Sequence, residues 1–292
     1  MWLAYNTNGL AHHRLEDACA LLADLGYAGI ALTPDVGHLD LATSGERDWE
    51  RSRALFERHR LRCVVETGAR YALDPRRKHW PNLLTTDAAA AQRRIDWYRR
   101  ALALAAALGA AELSLWSGAP EAGDAPEAAL ARLVARLAPL LDEAHRVGVT
   151  LCFEPEPGML IDSLTAYRAL RARLGREELA TTLDVGHLLV TEEGPAHLHL
   201  AEFAPGLRNV QLDDARRGVH QHLPLGEGEL DLAALLAELV RLGYRGPIAL
   251  ELSRDSHRGA EAAAMALASV RQAWPRGSPP AWRAGAGERG KA

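Results

Sequence analysis

Lysine is almost missing from this chain of 292 residues: Lys78 and Lys291 are the only two, and the rest of the 34 basic residues are arginine. Against 38 acidic residues they leave a formal net charge of -4, so the basic excess that a phosphate backbone selects is lacking. Aromatic residues are scarce as well, at 5%, too few for a platform that stacks single-stranded bases. A nucleic-acid partner is therefore disfavoured. The three cysteines, Cys19, Cys63 and Cys152, are odd in number and widely spaced, with no CxxC pair, which excludes a disulfide framework and reads as reduced core thiols of a cytoplasmic protein. No apolar run approaches the ~20 residues of a membrane span, and the opening MWLAYNTNGL has no basic stretch leading into an apolar one. Neither a membrane partner nor a secretory leader is expected. Phosphate-binding fingerprints are missing too: the first strand-like run is not followed by GxGxxG, and GxxxxGK[ST] does not occur.

What is present is a globular composition, 48% hydrophobic and 25% charged, in a chain long enough for one large domain or two ordinary ones. Short, nearly continuous apolar runs alternate with longer stretches at helical spacing. The strand-like runs are 2–6, 29–33, 62–66, 112–116, 150–154, 179–184, 208–212 and 247–251. Continuous apolarity is what strands buried on both faces require. The helix-like stretches are 14–25, 46–58, 87–108, 126–147, 163–173, 195–204, 231–242 and 258–274, with Ser163 and Asp231 as N-caps, Pro126 in a first turn and Gly26, Gly109, Gly148 and Gly243 as stops. Eight βα units without a composition break predict an α/β protein with a single (β/α)8 TIM barrel over residues 1–274. The remainder, PRGSPPAWRAGAGERGKA (275–292), is aperiodic and rich in Gly, Pro and Arg, and is expected to be a flexible, disordered C-terminal tail.

In such a barrel chemistry gathers where the strands end. Here the third run ends in Glu66, the fifth in Glu154, the sixth in Asp184 and the eighth in Glu251, while the seventh carries Gln211 followed by Asp213 and Asp214. Each is open to a plainer reading as a helix cap or a salt-bridged rim residue. Together, carboxylates converging on one mouth would raise one another's pKa unless a cation sits between them. Glu154, Asp184, Gln211 and Glu251 offer oxygen donors suited to Mn²⁺ or Mg²⁺, and the nearby His187 shifts the set toward Zn²⁺ or Co²⁺. The alternation in HQH places His220 and His222 on one face of an extended segment, able to chelate an ion or grip substrate oxygens, or else one is buried and one solvated. A long loop follows the third run, ETGARYALDPRRKHWPNLL (66–84), and concentrates Arg70, Arg76, Arg77, Lys78 and His79. It reads as a solvated charge run or as a lid in which Arg70 and Lys78 face an anionic substrate group.

The runs LDVGH (183–187), HQHLPLGEGELD (220–231) and IALEL (248–252) resemble the xylose isomerase-like superfamily, which holds sugar isomerases and epimerases, inosose-processing enzymes and AP endonucleases, and the resemblance spans about residues 1–272. It implies Glu154, Asp184 and Glu251 as metal ligands, with Gln211 standing where a histidine is usual, and Glu154 and Glu251 as an acid/base pair. His187 matches a substrate-side histidine, or a second-metal ligand in the AP endonuclease pattern. His220 and His222 stand where those enzymes hold a third metal, and His38, in LTPDVGHLDL, where a metal histidine is found or merely in a loop. Glu66, Glu156, His187, His220, His222, Arg70, Lys78 and His38 are thus the candidates for substrate contact, Glu156 alternatively as a helix cap. Asn6 and Asn8 could hold sugar hydroxyls, and Trp116 a sugar face, or these serve a turn and the core. The implied activity is a divalent-metal-dependent isomerase or epimerase of a sugar, sugar phosphate or cyclitol working through an enediolate. Alternatives are a metal-dependent hydrolase or lyase, inosose dehydratase-like or AP endonuclease-like, and a barrel that only binds a polyol or a partner protein. The expected partner is a small polyol or sugar (phosphate), with homo-oligomerisation left open.

Overall fold

A computed structural model describes residues 1–283. Eight parallel strands close on themselves in the order β1, β10, β7, β6, β5, β4, β3, β2. They are β1 (Trp2–Asn6), β2 (Gly29–Leu32), β3 (Arg62–Glu66), β4 (Glu112–Leu115), β5 (Thr150–Phe153), β6 (Ala180–Asp184), β7 (Leu207–Leu212) and β10 (Pro247–Leu250). Each lies within a residue or so of the run expected from the sequence, and the (β/α)8 barrel is the observed fold. The seam that completes it pairs Trp2 with Pro247 and Tyr5 with Leu250.

Helices α1 (Leu15–Leu25), α2 (Glu46–His59), α3 (Ala88–Leu108), α4 (Pro126–Val147), α5 (Leu164–Leu174), α8 (Leu232–Arg241) and α9 (Gly259–Ala273) lie between the strands. Their ends follow local chemistry: the side chains of Asp87, Ser163 and Asp231 accept the N–H of Ala90, Ala166 and Ala234, and Gly109 and Gly148 close α3 and α4 in the left-handed conformation. The large apolar side chains of the strands, among them Leu3, Tyr5, Ile30, Val65, Phe153, Val210 and Leu250, are fully buried against this helical layer. Inside the barrel the floor is small: Ala4, Ala31, Val64 and Ala249 pack under Trp2. Above it the inward positions turn polar, with Ser114 Oγ donating to Thr182 Oγ1 at 2.8 Å across the barrel. That layer is the base of the cleft.

Three segments differ from expectation. Residues 195–204, expected as one helix, form a 3-10 turn (Ala196–His199) and a single turn α7 (Leu200–Phe203). The helix that directly follows β6 is instead α6 (Val185–Thr191), started by Asp184, whose Oδ1 accepts the His187 N–H at 2.9 Å. An antiparallel hairpin, β8 (Asp214–Arg216) and β9 (Val219–Leu223), stands apart from the barrel sheet and carries His220 and His222. Of the expected tail, residues 275–283 are docked across the N-terminal end of the barrel. Ala281 O accepts the Leu3 N–H at 2.7 Å, and the Arg283 guanidinium donates to Tyr27 O and His59 O at 2.9 and 3.1 Å. Residues 284–292 of that tail lie outside the described residues. The three cysteines are free and buried, as expected. Among the described residues no helix is long and apolar enough to cross a membrane.

Candidate active site

The strand ends surround a cleft of about 100 Å³ into which Glu66, Glu154, Glu156, His187, Gln211, His222 and Glu251 all face. Arg70, Lys78 and His79 of the loop after β3 form another part of its wall, with Asn6, Asn8, Thr33, Trp116 and Ser253 completing it. Glu154 and Glu251 come from the first positions after β5 and β10, the geometry that makes a barrel mouth collect chemistry from distant parts of a chain.

Glu66 organises the floor. Its two oxygens accept Asn209 Nδ2–H at 2.8 Å and Gln211 Nε2–H at 3.0 Å, and it is buried, as are both amides. Ionised, it only accepts, and in that form it fixes which way each amide turns. The amide nitrogen of Gln211 is thereby held, and its Oε1 is left buried with no hydrogen-bond partner among the described residues. Burial, and then the charge of Glu251, push the Glu66 carboxyl up to about 8. Opposite, Glu251 Oε1 accepts Asn8 Nδ2–H at 2.8 Å.

The other wall carries His187 of α6, the helix that the buried Asp184 starts. Having capped His187 with one oxygen, Asp184 keeps Oδ2 buried, 3.8 Å from His187 Nε2 and without a hydrogen-bond partner. His187 Nδ1 lies 3.2 Å from Pro155 O and 3.5 Å from Glu154 Oε1. Since a carbonyl only accepts, Nδ1 carries the proton and the Nε2 lone pair faces His220 Nε2 at 3.2 Å. His222 Nδ1 sits 2.5 Å from Asp213 Oδ2. Burial pushes the His222 imidazole down, but the hydrogen bond and charge of Asp213 outweigh it and lift it to about 10. Burial and the neighbouring imidazoles hold His187 near 3 and His220 near 4. Glu154 and Asp213 are pushed well above the ordinary carboxylate range, and Glu156 up to about 8, by burial first and then by neighbouring carboxylates.

Buried acids lifted together, beside orphaned oxygens on Asp184 and Gln211, describe a site short of positive charge. A divalent cation fits that deficit. Glu154, Asp184 and His187 offer donor atoms within 4.8 Å of one another, as do His187, His220 and His222, and Asp184, Asp213 and His222. The imidazoles thus stand closer to the carboxylates than the oxygen-only set of Glu154, Asp184, Gln211 and Glu251 implied, and they widen the choice of metal toward zinc.

His38 is the one candidate set apart: buried, its Nε2 lies 2.8 Å from His13 O, and it does not line the cleft. The carbonyl of a neighbouring loop satisfies it. Sequence reasoning passed over Asn209 and the partnership of Asp213 with His222. The first was within reach, because strand alternation puts residues 209 and 211 on one face. The second was not: Asp213 reaches His222 only because Gly186, in α6, has no side chain, and a Cβ there would overlap the Asp213 carboxylate.

The family model described as xylose isomerase-like TIM barrel matches residues 19–273. The chain belongs to that family. Among curated relatives, the L-ribulose-5-phosphate 3-epimerase UlaE of Salmonella paratyphi C (strain RKS4594) is 26% identical over 235 residues, 80% of each protein. Solved structures share the fold at lower identity. A D-allulose 3-epimerase from Methylomonas sp., in complex with D-allulose, superposes with a TM-score of 0.73 at 22% identity, over 94% of this chain and 97% of that one. A zinc-bound IOLI protein gives 0.75 at 17% identity, over 94% and 98%.

Proposed function

We propose that this member of the xylose isomerase-like family is a divalent-metal-dependent epimerase or isomerase of a ketose or ketose phosphate, exchanging a proton on the carbon beside the carbonyl. The observation that carries this reading is the convergence of Glu154 and Glu251 on one cleft beside the unpartnered oxygens of Asp184 and Gln211. Removing such a proton needs a base on one side, an acid on the other and relief for the enediolate that forms between them. Glu251, steadied by Asn8, takes the proton in one direction, and Glu154 returns one to the other face. Asp184 and Gln211, with Glu154 and Glu251, would hold Mn²⁺ or Mg²⁺, and His187 would favour Zn²⁺ or Co²⁺. Bound there, the ion would supply Lewis acidity toward the substrate's carbonyl and adjacent hydroxyl oxygens. His187, with its proton on Nδ1, fixes the side of the cleft nearest Glu154, and the cluster of three imidazoles keeps a lyase or hydrolase reading in second place.

That curated relatives are named as acting on a ketose phosphate, and solved structures on free ketoses, sets the substrate panel. Incubation with ketopentoses, ketohexoses and their phosphates in D₂O should leave deuterium on the epimerised carbon. Glu154→Gln and Glu251→Gln should each cut turnover by roughly 10²–10⁴-fold, the range for a displaced acid or base. A protein that turns over a sugar or cyclitol with no carbon-bound deuterium would favour the hydrolytic reading.

A further inference from the structure

We propose that the Arg70–Lys78 end of the cleft is a phosphate seat, so that the substrate is a ketose carrying a terminal phosphate monoester; this rests on the epimerase reading and names its substrate class. The loop after β3 is pinned at its neck, where the His79 N–H donates to Arg70 O at 2.6 Å and His79 Nδ1–H to Gly68 O at 2.7 Å. The two pins draw Arg70 and the Lys78–His79 segment together, and both Arg70 and Lys78 line the cleft.

Neither cation has an ion-pair or hydrogen-bonded side-chain partner among the described residues. Among the described residues Arg76 of the same loop has no such partner either, but it does not line the cleft. Arg77, next in the chain to Lys78, is held in a two-pronged pair by Asp74 at 2.8 and 3.0 Å, and Arg51, Arg53, Arg99 and Arg146 each meet a carboxylate on their own helix. The cleft is thus polarised: carboxylates Glu66, Glu154, Glu156 and Glu251 at the strand ends, two cations without a direct ion pair at the loop, with Lys78 near enough to Glu156 to feel its charge. The His79 imidazole between them stays neutral, driven to about 4 by burial and then by Lys78, Arg94 and Arg70. A second cation source would be repelled there and a dianion drawn in. A forked guanidinium and a compact ammonium together match the charge and the tetrahedral oxygens of a phosphate monoester. A ketose whose reacting carbons lie between Glu154 and Glu251 extends its far end toward them.

The test uses the metal-loaded protein with a ketopentose 5-phosphate, the same ketose without phosphate, and inorganic phosphate. Wild type is expected to prefer the phosphorylated sugar in kcat/KM by at least roughly 100-fold, the worth of two charge-assisted contacts. Arg70→Ala and Lys78→Ala should each lower kcat/KM for the phosphate ester by roughly 10- to 100-fold, mainly through KM, and lower it for the free ketose by a clearly smaller factor. Calorimetric binding of inorganic phosphate should weaken in both variants and persist in Arg76→Ala, which lies in the same loop but outside the cleft. Equal kcat/KM for ester and free sugar, or phosphate binding unchanged in both variants, would overturn the seat. Absence of deuterium exchange on every sugar, with phosphate binding still lost in the variants, would instead sink the epimerase reading and leave the anion seat standing.

Discussion

Glu66→Gln isolates the part of the site that nothing else in the cleft can imitate. The substitution keeps volume and removes an acceptor: one carboxylate oxygen becomes an NH₂ that must face the NH₂ of Asn209 or Gln211, now held at 2.8 and 3.0 Å. One amide has to turn. If Gln211 turns, its Oε1 leaves the position where it is unpartnered in the wild type. Losing that orientation and one negative charge should weaken Mn²⁺ binding by about 10- to 100-fold, the usual cost of disturbing a group that orients a metal ligand. Stability should move the other way. With a folded-state pKa of about 8 against an ordinary 4.5, the Glu66 proton is bound more tightly in the native than in the unfolded chain, so the wild type loses stability as pH rises from 4.5 through 8. That loss is on the order of 5 kcal/mol for this group and would vanish in the variant, which should be near neutral at pH 5 and the more stable protein at pH 9 when metal is absent. Manganese titration by calorimetry and urea unfolding at the two pH values measure both effects. A manganese Kd within about threefold of wild type, together with an unchanged pH slope, would refute the idea that Glu66 aims Gln211.

Chelation should expose the same electrostatics: without metal the melting temperature should fall between pH 6.5 and 8, above the range in which His187 and His220 titrate in the unfolded chain, as Glu66 and Glu156 give up protons they hold to about 8, and saturating Mn²⁺ at 100 times its Kd should restore about 2.7 kcal/mol in scanning calorimetry. A chelated profile that rises across that window contradicts the charge deficit. Gly186→Ala, which helix propensity alone would favour, should instead destabilise by about 1–3 kcal/mol, because the new Cβ overlaps the Asp213 carboxylate that holds His222. Ending the chain at Trp274 should lower the melting temperature by about 2–4 °C per kcal/mol of lost docking and leave kcat unchanged, since the contacts of Ala281 and Arg283 lie at the end of the barrel away from the cleft.

The barrel was legible because buried parallel strands must be nearly continuously apolar, and a polar residue closing such a run stands out; Glu66, Glu154, Asp184 and Glu251 were found that way. Their division of labour was not legible. Asp184 caps α6 with one oxygen and leaves the other free, a double use that no spacing announces. The run LGEGEL entered only as part of the family resemblance; its backbone wraps Asp214, which accepts the N–H of Gly226, Gly228 and Leu230, and a Cβ at Gly228 would overlap that carboxylate. The glycines of that motif shape a loop beside the site. The HQH run was read as extended, as β9 is, but its pairing with β8, and helix α6, escaped notice because these elements are short and their sequence carries histidines and glycines where periodicity needs apolar residues.

The seam between β1 and β10 bears on how the protein is made. Until Pro247–Leu250 reaches Trp2–Tyr5, β1 and β7 each present an open row of backbone donors and acceptors, and the docking of Ala281 on Leu3 must wait for the same event. A contact spanning nearly the whole chain is among the slowest to form. The acidic cleft therefore comes together late: Glu251, one residue past the closing strand, joins Glu154 and Asp184 when the ring shuts, and a growing chain has no assembled site before that moment.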